Sequence, residues 1–153
     1  MRCVIQRVSS ASVTVDSEIT GRIGQGLFIL LGVGSEDTER DAMLLANKIL
    51  KLRIFTDENG KMNLSVTDVG GEIQVVSNFT LYANYVHGNR PDYFSAASPN
   101  EANRLYEYFV SLIRESGVKC ETGRFGADMR CDISLDGPVT IVMDSAQLKS
   151  KGK

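Results

Sequence analysis

Ser77 and Thr80 stand three residues apart in Ser77-Asn78-Phe79-Thr80-Leu81, where the strand-like run Glu72 to Phe79 comes to its end. A strand ending this way gathers two hydroxyls and several unpaired backbone amides at a sheet edge. Two readings stay open: the hydroxyls cap the strand, or they form a polar pocket for an ester or phosphate oxygen. Arg124-Phe125-Gly126-Ala127, preceded by Gly123, offers a second main-chain approach to a ligand, because glycine carries no Cβ. Near the C-terminus Asp136-Gly137-Pro138 separates two further strand-like runs, Cys131 to Leu135 and Val139 to Met143. Proline gives no N–H to a sheet ladder, so one reading is a hairpin turn. The other is a rigid pair of carbonyls aimed at a ligand.

Other chemistries find less support. His87 is the only histidine, which excludes a histidine-rich metal site. Paired with Cys120 or Cys131 it would make a thiol hydrolase, but no spacing brings them together. Cys3, Cys120 and Cys131 are odd in number and lack CxxC spacing, so they read as reduced, buried thiols. No metal and no cofactor is expected. Asp57, Glu58 and Asp68 fit turn and surface positions as well as a carboxylate cluster. The glycines of Gly21 to Gly26 and Gly32 to Gly34 have neither the GxGxxG order nor a P-loop lysine.

The elements that must position these residues follow from periodicity. Val4 to Val8, Ala11 to Val15 and Ile19 to Ile23 alternate as strands, with a polar turn at Asp16-Ser17. Leu27 to Val33 is continuously apolar, the pattern of a strand buried on both faces. A helix is expected after Thr38 with a capping box to Asp41 and a buried face of Met43, Ala46, Ile49 and Leu50. A second follows Ser98-Pro99-Asn100-Glu101, again with a capping box, burying Ala102, Leu105, Tyr106, Phe109, Leu112 and Ile113. Gly117 ends it.

A chain of 153 residues, 42% hydrophobic and 24% charged, is long enough for one domain with a real core. No apolar run approaches the ~20 residues of a membrane span, and the N-terminus lacks a signal-peptide layout, so a cytoplasmic protein without membrane contact is expected. The net charge of −2 does not announce a nucleic-acid partner. Lys149, Lys151 and Lys153 make a basic, frayed tail, expected over 145–153.

Five segments in order carry a family likeness. They are Gln6-Arg7-Val8 with Ala11 to Val15, Gly60 to Ser65, Gly88-Asn89-Arg90-Pro91, Gly123 to Met129, and Asp136-Gly137-Pro138-Val139-Thr140. From Met1 to about Val142 the chain resembles the D-aminoacyl-tRNA deacylases, with a deacylase domain expected over 1–144. Two positions depart from that family: Asn78 where it carries glutamine, and Leu135 where asparagine is common.

The resemblance implies a single compact α/β domain, with strands in two stacked layers and two helices on one face. It implies a homodimer with active sites at the subunit interface, acting on the tRNA acceptor end that carries a D-amino acid; a filter that works by clash with an L side chain would let glycine through as well. The family's Gly-Pro pair is cis and enters the partner's pocket, so Gly137 and Pro138 would reject L-aminoacyl groups there, with Arg7 holding the loop. Ser77, Thr80, Phe125 and Gly126 would line the receiving pocket, with Phe79 and Asn78 beside them. The sequence offers no strong protein base, which fits activation of water by the substrate's own ribose 2′-hydroxyl. Thr80 as covalent nucleophile is the alternative. A basic rim from Lys51, Arg53, Arg90, Arg104 or the lysine tail would meet the tRNA. A non-catalytic interaction module using the Gly-Pro loop as a dimer clip is the rival from another class.

Overall fold

β1 spans Arg2–Val15 without a break, although Ser9-Ser10 in its middle reads as a boundary. In the computed structural model, which describes residues 1–149, this strand is the spine of the sheet. Its N-terminal half pairs antiparallel with β3 (Gly26–Gly32) and its C-terminal half with β2 (Glu18–Ile23). β8 (Arg130–Asp144) runs antiparallel to it from Arg2↔Asp144 to Thr14↔Arg130. A strand has two edges, so β2 and β3 share one and β8 takes the other. Asp16 and Ser17 turn the chain from β1 to β2 with φ of 48° and 66°, the left-handed pair that suits a two-residue hairpin.

β1 serves both faces of the sheet. Cys3 and Ile5 point into the larger cluster; Val8, Ala11 and Val13 point into the smaller one. Between Val8 and Ser10 it advances two residues while β8 advances one, from Leu135 to Ser134. One extra residue reverses which face the alternation addresses.

β3 continues parallel into β6 (Glu72–Ser77), and β6 parallel into β7 (Cys120–Thr122). Parallel neighbours need crossovers, and α1 (Glu39–Leu50) and α2 (Pro99–Glu115) lie in them. Two crossovers stepping the same way across a sheet, both right-handed, must lie on one face. Accordingly Ala42, Leu45 and Ile49 of α1 and Leu105, Phe109 and Ile113 of α2 share one core with Ile29, Leu31 and Val75. The remaining strands, β4 (Phe55–Thr56) and β5 (Met62–Leu64), form a separate pair beside the six-stranded sheet.

Several expectations are corrected. Cys131 to Leu135 and Val139 to Met143 are not the arms of a hairpin but parts of one strand, β8. It runs through a cis Gly137–Pro138 bond without reversing. From Thr140 to Leu135 it advances five residues while β1 advances two, Gln6 to Val8, so three residues bulge out. In α1 the capping box forms, but the buried face is Asp41, Ala42, Leu45, Ala46 and Ile49, and Met43 is exposed. In α2 Ser98 makes no side-chain cap; Glu101 pairs with Arg104 instead, at 2.6 Å. The expected frayed tail begins as a short helix, α3 (Ser145–Lys149), with Ser145 buried; Lys151 and Lys153 lie outside the described residues.

Candidate active site

The parallel β3–β6 pair ends at Leu31 and Ser77, and the chain then turns into a single 3-10 turn, Phe79–Tyr82. Asn78 N–H still bonds Leu31 O at 2.8 Å, so the departing chain is pinned to the sheet edge. The first amides of a helical turn have no partner within it. Ser77, Asn78 and Phe79 open onto a cavity of about 620 Å³. Its floor is Leu30, Val76 and Met129; α2 contributes Pro99, Ala102 and Tyr106.

A loop closes the far side. Ala97 N–H bonds Val33 O and Ser35 N–H bonds Ser95 O, both at 2.9 Å, which holds Tyr93, Ala96 and Ala97 over the cavity. Aromatic rings set its edges. Phe79 meets Tyr93 edge-on at 4.9 Å, and Phe125 lies 5.9 Å from Tyr106. Tyr106 donates its hydroxyl to Val75 O at 2.7 Å. Gly126 takes φ of +76° with open space where a Cβ would stand, so the turn beside Phe125 favours glycine by conformation, not by crowding.

None of the residues lining this cavity is charged. Cys131 is among them, but burial, then the charge of Asp132, raise its thiol above the ordinary value. Burial likewise pushes Cys120 to about 11 and Cys3 to about 12. Neutral thiols are poor nucleophiles. The site therefore offers hydrogen-bond donors, aromatic faces and apolar surface, and no strong general base.

Five expected residues come together here: Ser77, Asn78, Phe79, Phe125 and Gly126. Four do not line it: Thr80, Arg7, Gly137 and Pro138. Thr80 is exposed, and its hydroxyl donates to Asn78 Oδ1. Arg7, only 9% exposed, binds Ile54 O through Nη1 at 2.8 Å and Asp136 O through Nε at 3.2 Å. Gly137 has φ of +126°, and a Cβ there would stand 2.9 Å from Val139 N and 3.3 Å from Arg7 Nη2. Sequence reasoning missed Tyr93, Ala96 and Ala97, which an irregular segment gave no periodicity to place, and read Tyr106 only as core.

The expected basic rim is partly spent within the chain. Arg104 bridges Glu101 and Glu39, and Lys149 binds Asp41 at 2.7 Å. Among the described residues no group of three or more His, Cys, Asp or Glu could hold a metal ion, and no helix is long and apolar enough to cross a membrane.

The family model described as D-Tyr-tRNA(Tyr) deacylase matches residues 4–144. A D-aminoacyl-tRNA deacylase of Koribacter versatilis is 57% identical over 145 residues, covering 95% of this chain and 97% of that protein. One from Thermosipho melanesiensis is 55% identical over 149 residues, covering 97% and 99%. A solved structure described as c-Myc DNA Unwinding Element Binding Protein is 41% identical with a TM-score of 0.88, covering 94% of this chain and 98% of that one. The matched stretch runs from within β1 to the last residue of β8 and so takes in the cavity, the Arg7 anchor and the Gly137–Pro138 bulge. On that likeness the chain belongs to the D-aminoacyl-tRNA deacylase family.

Proposed function

We propose that this protein hydrolyses the ester joining a D-amino acid, or glycine, to the 3′-terminal adenosine of tRNA in the cytoplasm. The cavity takes the aminoacyl-adenosine end. The observation that carries this reading is the uncharged, mostly apolar lining, with Ser77 and Asn78 as its polar groups and Phe79, Tyr93, Tyr106 and Phe125 as aromatic edges. Such a site can hold a neutral ester and an adenine ring, and its amides can stabilise an oxyanion. It does not supply a base, so the ribose 2′-hydroxyl of the substrate assists the attacking water.

Chirality needs a different device. The enantiomers exchange hydrogen and side chain at Cα, and attractive contacts yield only ~1–3 kcal/mol per group. A rigid carbonyl where an L side chain would project rejects every L residue by clash. Gly137 and Pro138 lie outside the chain's own cavity lining, on a strand paired only with β1 among the described residues. That placement supports a homodimer, its strands in stacked layers, in which each Gly137–Pro138 bulge completes the partner's cavity.

The test is release of D-tyrosine from D-tyrosyl-tRNA, with the L-ester as control and glycyl-tRNA as third substrate. Hydrolysis of the D and glycyl esters with sparing of the L-ester is expected. Equal rates on both enantiomers would remove the filter from the reading. No release from any ester would leave the interaction-module alternative in its place.

A further inference from the structure

Thr80 stands among the expected catalytic groups, yet its exposed side chain is turned to Asn78 and it does not line the cavity. A hydroxyl can donate to Oδ1 or accept from the N–H groups of Nδ2, and here Thr80 donates to Oδ1, which leaves Nδ2 turned away from Thr80. The contact therefore fixes which way the Asn78 amide faces. Asn78 itself lines the cavity, and among the described residues its Nδ2 makes no hydrogen bond. The neighbouring Ser77 hydroxyl likewise has no hydrogen-bond partner among the described residues.

We infer that Thr80 is a positioning residue, whose hydroxyl holds the Asn78 carboxamide so that Nδ2 donates to the carbonyl oxygen of the bound ester. This rests on the ester-hydrolase reading above. A donor held in place before substrate arrives needs no reorientation as charge develops on that oxygen, which is where such a group contributes most. Asparagine has only two side-chain torsions to fix, so one hydroxyl suffices to hold it. Thr80 then affects the reaction through Asn78 alone and forms no bond to the acyl group.

The experiment compares wild type, Thr80→Val, Thr80→Ser, Asn78→Ala and the Thr80→Val/Asn78→Ala pair on D-tyrosyl-tRNA, measuring kcat and KM separately. Asn78→Ala should lower kcat about 100-fold, the scale of losing one oxyanion donor. Thr80→Val should lower kcat about tenfold with little change in KM, and Thr80→Ser should restore it. The pair should be no slower than Asn78→Ala alone, because Thr80 has nothing left to position. Multiplying losses in the pair, or a Thr80→Val enzyme as fast as wild type, would overturn the inference. So would an acyl group trapped on Thr80.

A readout free of catalysis separates this from the functional reading. In ligand-free protein, 15N relaxation of the Asn78 side-chain amide should show greater mobility in Thr80→Val than in wild type or Thr80→Ser. Unchanged mobility overturns the positioning role whatever the kinetics. A wild type inert on every ester, with the mobility change present, overturns the ester-hydrolase reading and with it the role assigned to Nδ2.

Discussion

Arg7 on β1 and Asp136 on β8 meet where the two strands fall out of step. Nε lies 3.2 Å from the Asp136 carbonyl oxygen and 3.3 Å from Oδ2, while Nη1 holds Ile54 O at 2.8 Å. One guanidinium thus ties the Gly137–Pro138 bulge to the segment after α1. Its planar fork can address these acceptors at once, which a lysine ammonium cannot.

Arg7→Ala should therefore destabilise the fold and reduce activity together. It leaves the buried Ile54 carbonyl and the bulge without their donor, at a cost of about 1–3 kcal/mol. A denaturation midpoint shift checks the first effect and D-tyrosyl-tRNA turnover the second. Arg7→Lys should recover part of the stability and little of the activity, because a point charge does not orient the bulge. Full activity in Arg7→Lys would show that bulge orientation is unimportant.

The bulge is also where local sequence misleads most. Proline after glycine between two apolar runs reads as a turn because that is what the dipeptide does in isolation. Whether the chain reverses depends on β1, over 120 residues away, whose register accepts β8 on both sides of the bulge. The same non-locality explains Asp41, buried on α1 because Ser145 and Lys149 arrive from the far end of the chain. Met43 loses its expected place to that arrangement. By contrast Ser77 and Phe125 were legible, since a strand end and a glycine-flanked turn advertise themselves locally, whereas Asn78 entered only through the family resemblance. Tyr93 and Ala97 owe their position to backbone bonds with Ser35 and Val33 in another segment, and no local pattern encodes that.

Cys131 gives a clean test of the thiol alternative. It lines the cavity, but its thiol is raised by burial and by Asp132. Cys131→Ala should keep kcat within about threefold of wild type, since at neutral pH little thiolate is present to be lost. A nucleophile's removal would instead abolish turnover. Loss of activity with an unchanged thermal midpoint would revive the thiol mechanism.

Asp41 should shape the acid limb of stability. Burial alone would raise its carboxyl, but bonds from Lys149, Ser145 and the Thr38 amide outweigh this and hold it well below the usual range. A folded pKa below the unfolded one means the contribution is full above the unfolded value, about 4, and fades as pH falls toward the folded one. Stability measured by denaturant should thus decline below about pH 4. Asp41→Asn should lower stability at pH 7 by roughly 2–3 kcal/mol and flatten that acid decline. An acid limb as steep as that of wild type would assign it to other carboxylates.

Mixed dimers give the sharpest test of the proposed homodimer and its shared site. Asn78→Ala damages the cavity, whereas Gly137→Ala places a Cβ 2.9 Å from Val139 N and 3.3 Å from Arg7 Nη2, at a φ that L side chains avoid, and so displaces the bulge. Each variant alone should be nearly inactive. If the bulge serves its own subunit, mixing unfolded chains and refolding them together restores nothing. If it serves the partner, the mixed dimer holds one intact site, made from the Gly137→Ala cavity and the Asn78→Ala bulge. Random pairing makes half the dimers mixed, with one of their two sites whole, so about a quarter of wild-type activity should return. Recovery well below that figure, with mixed dimers present by mass, would place the bulge over its own cavity.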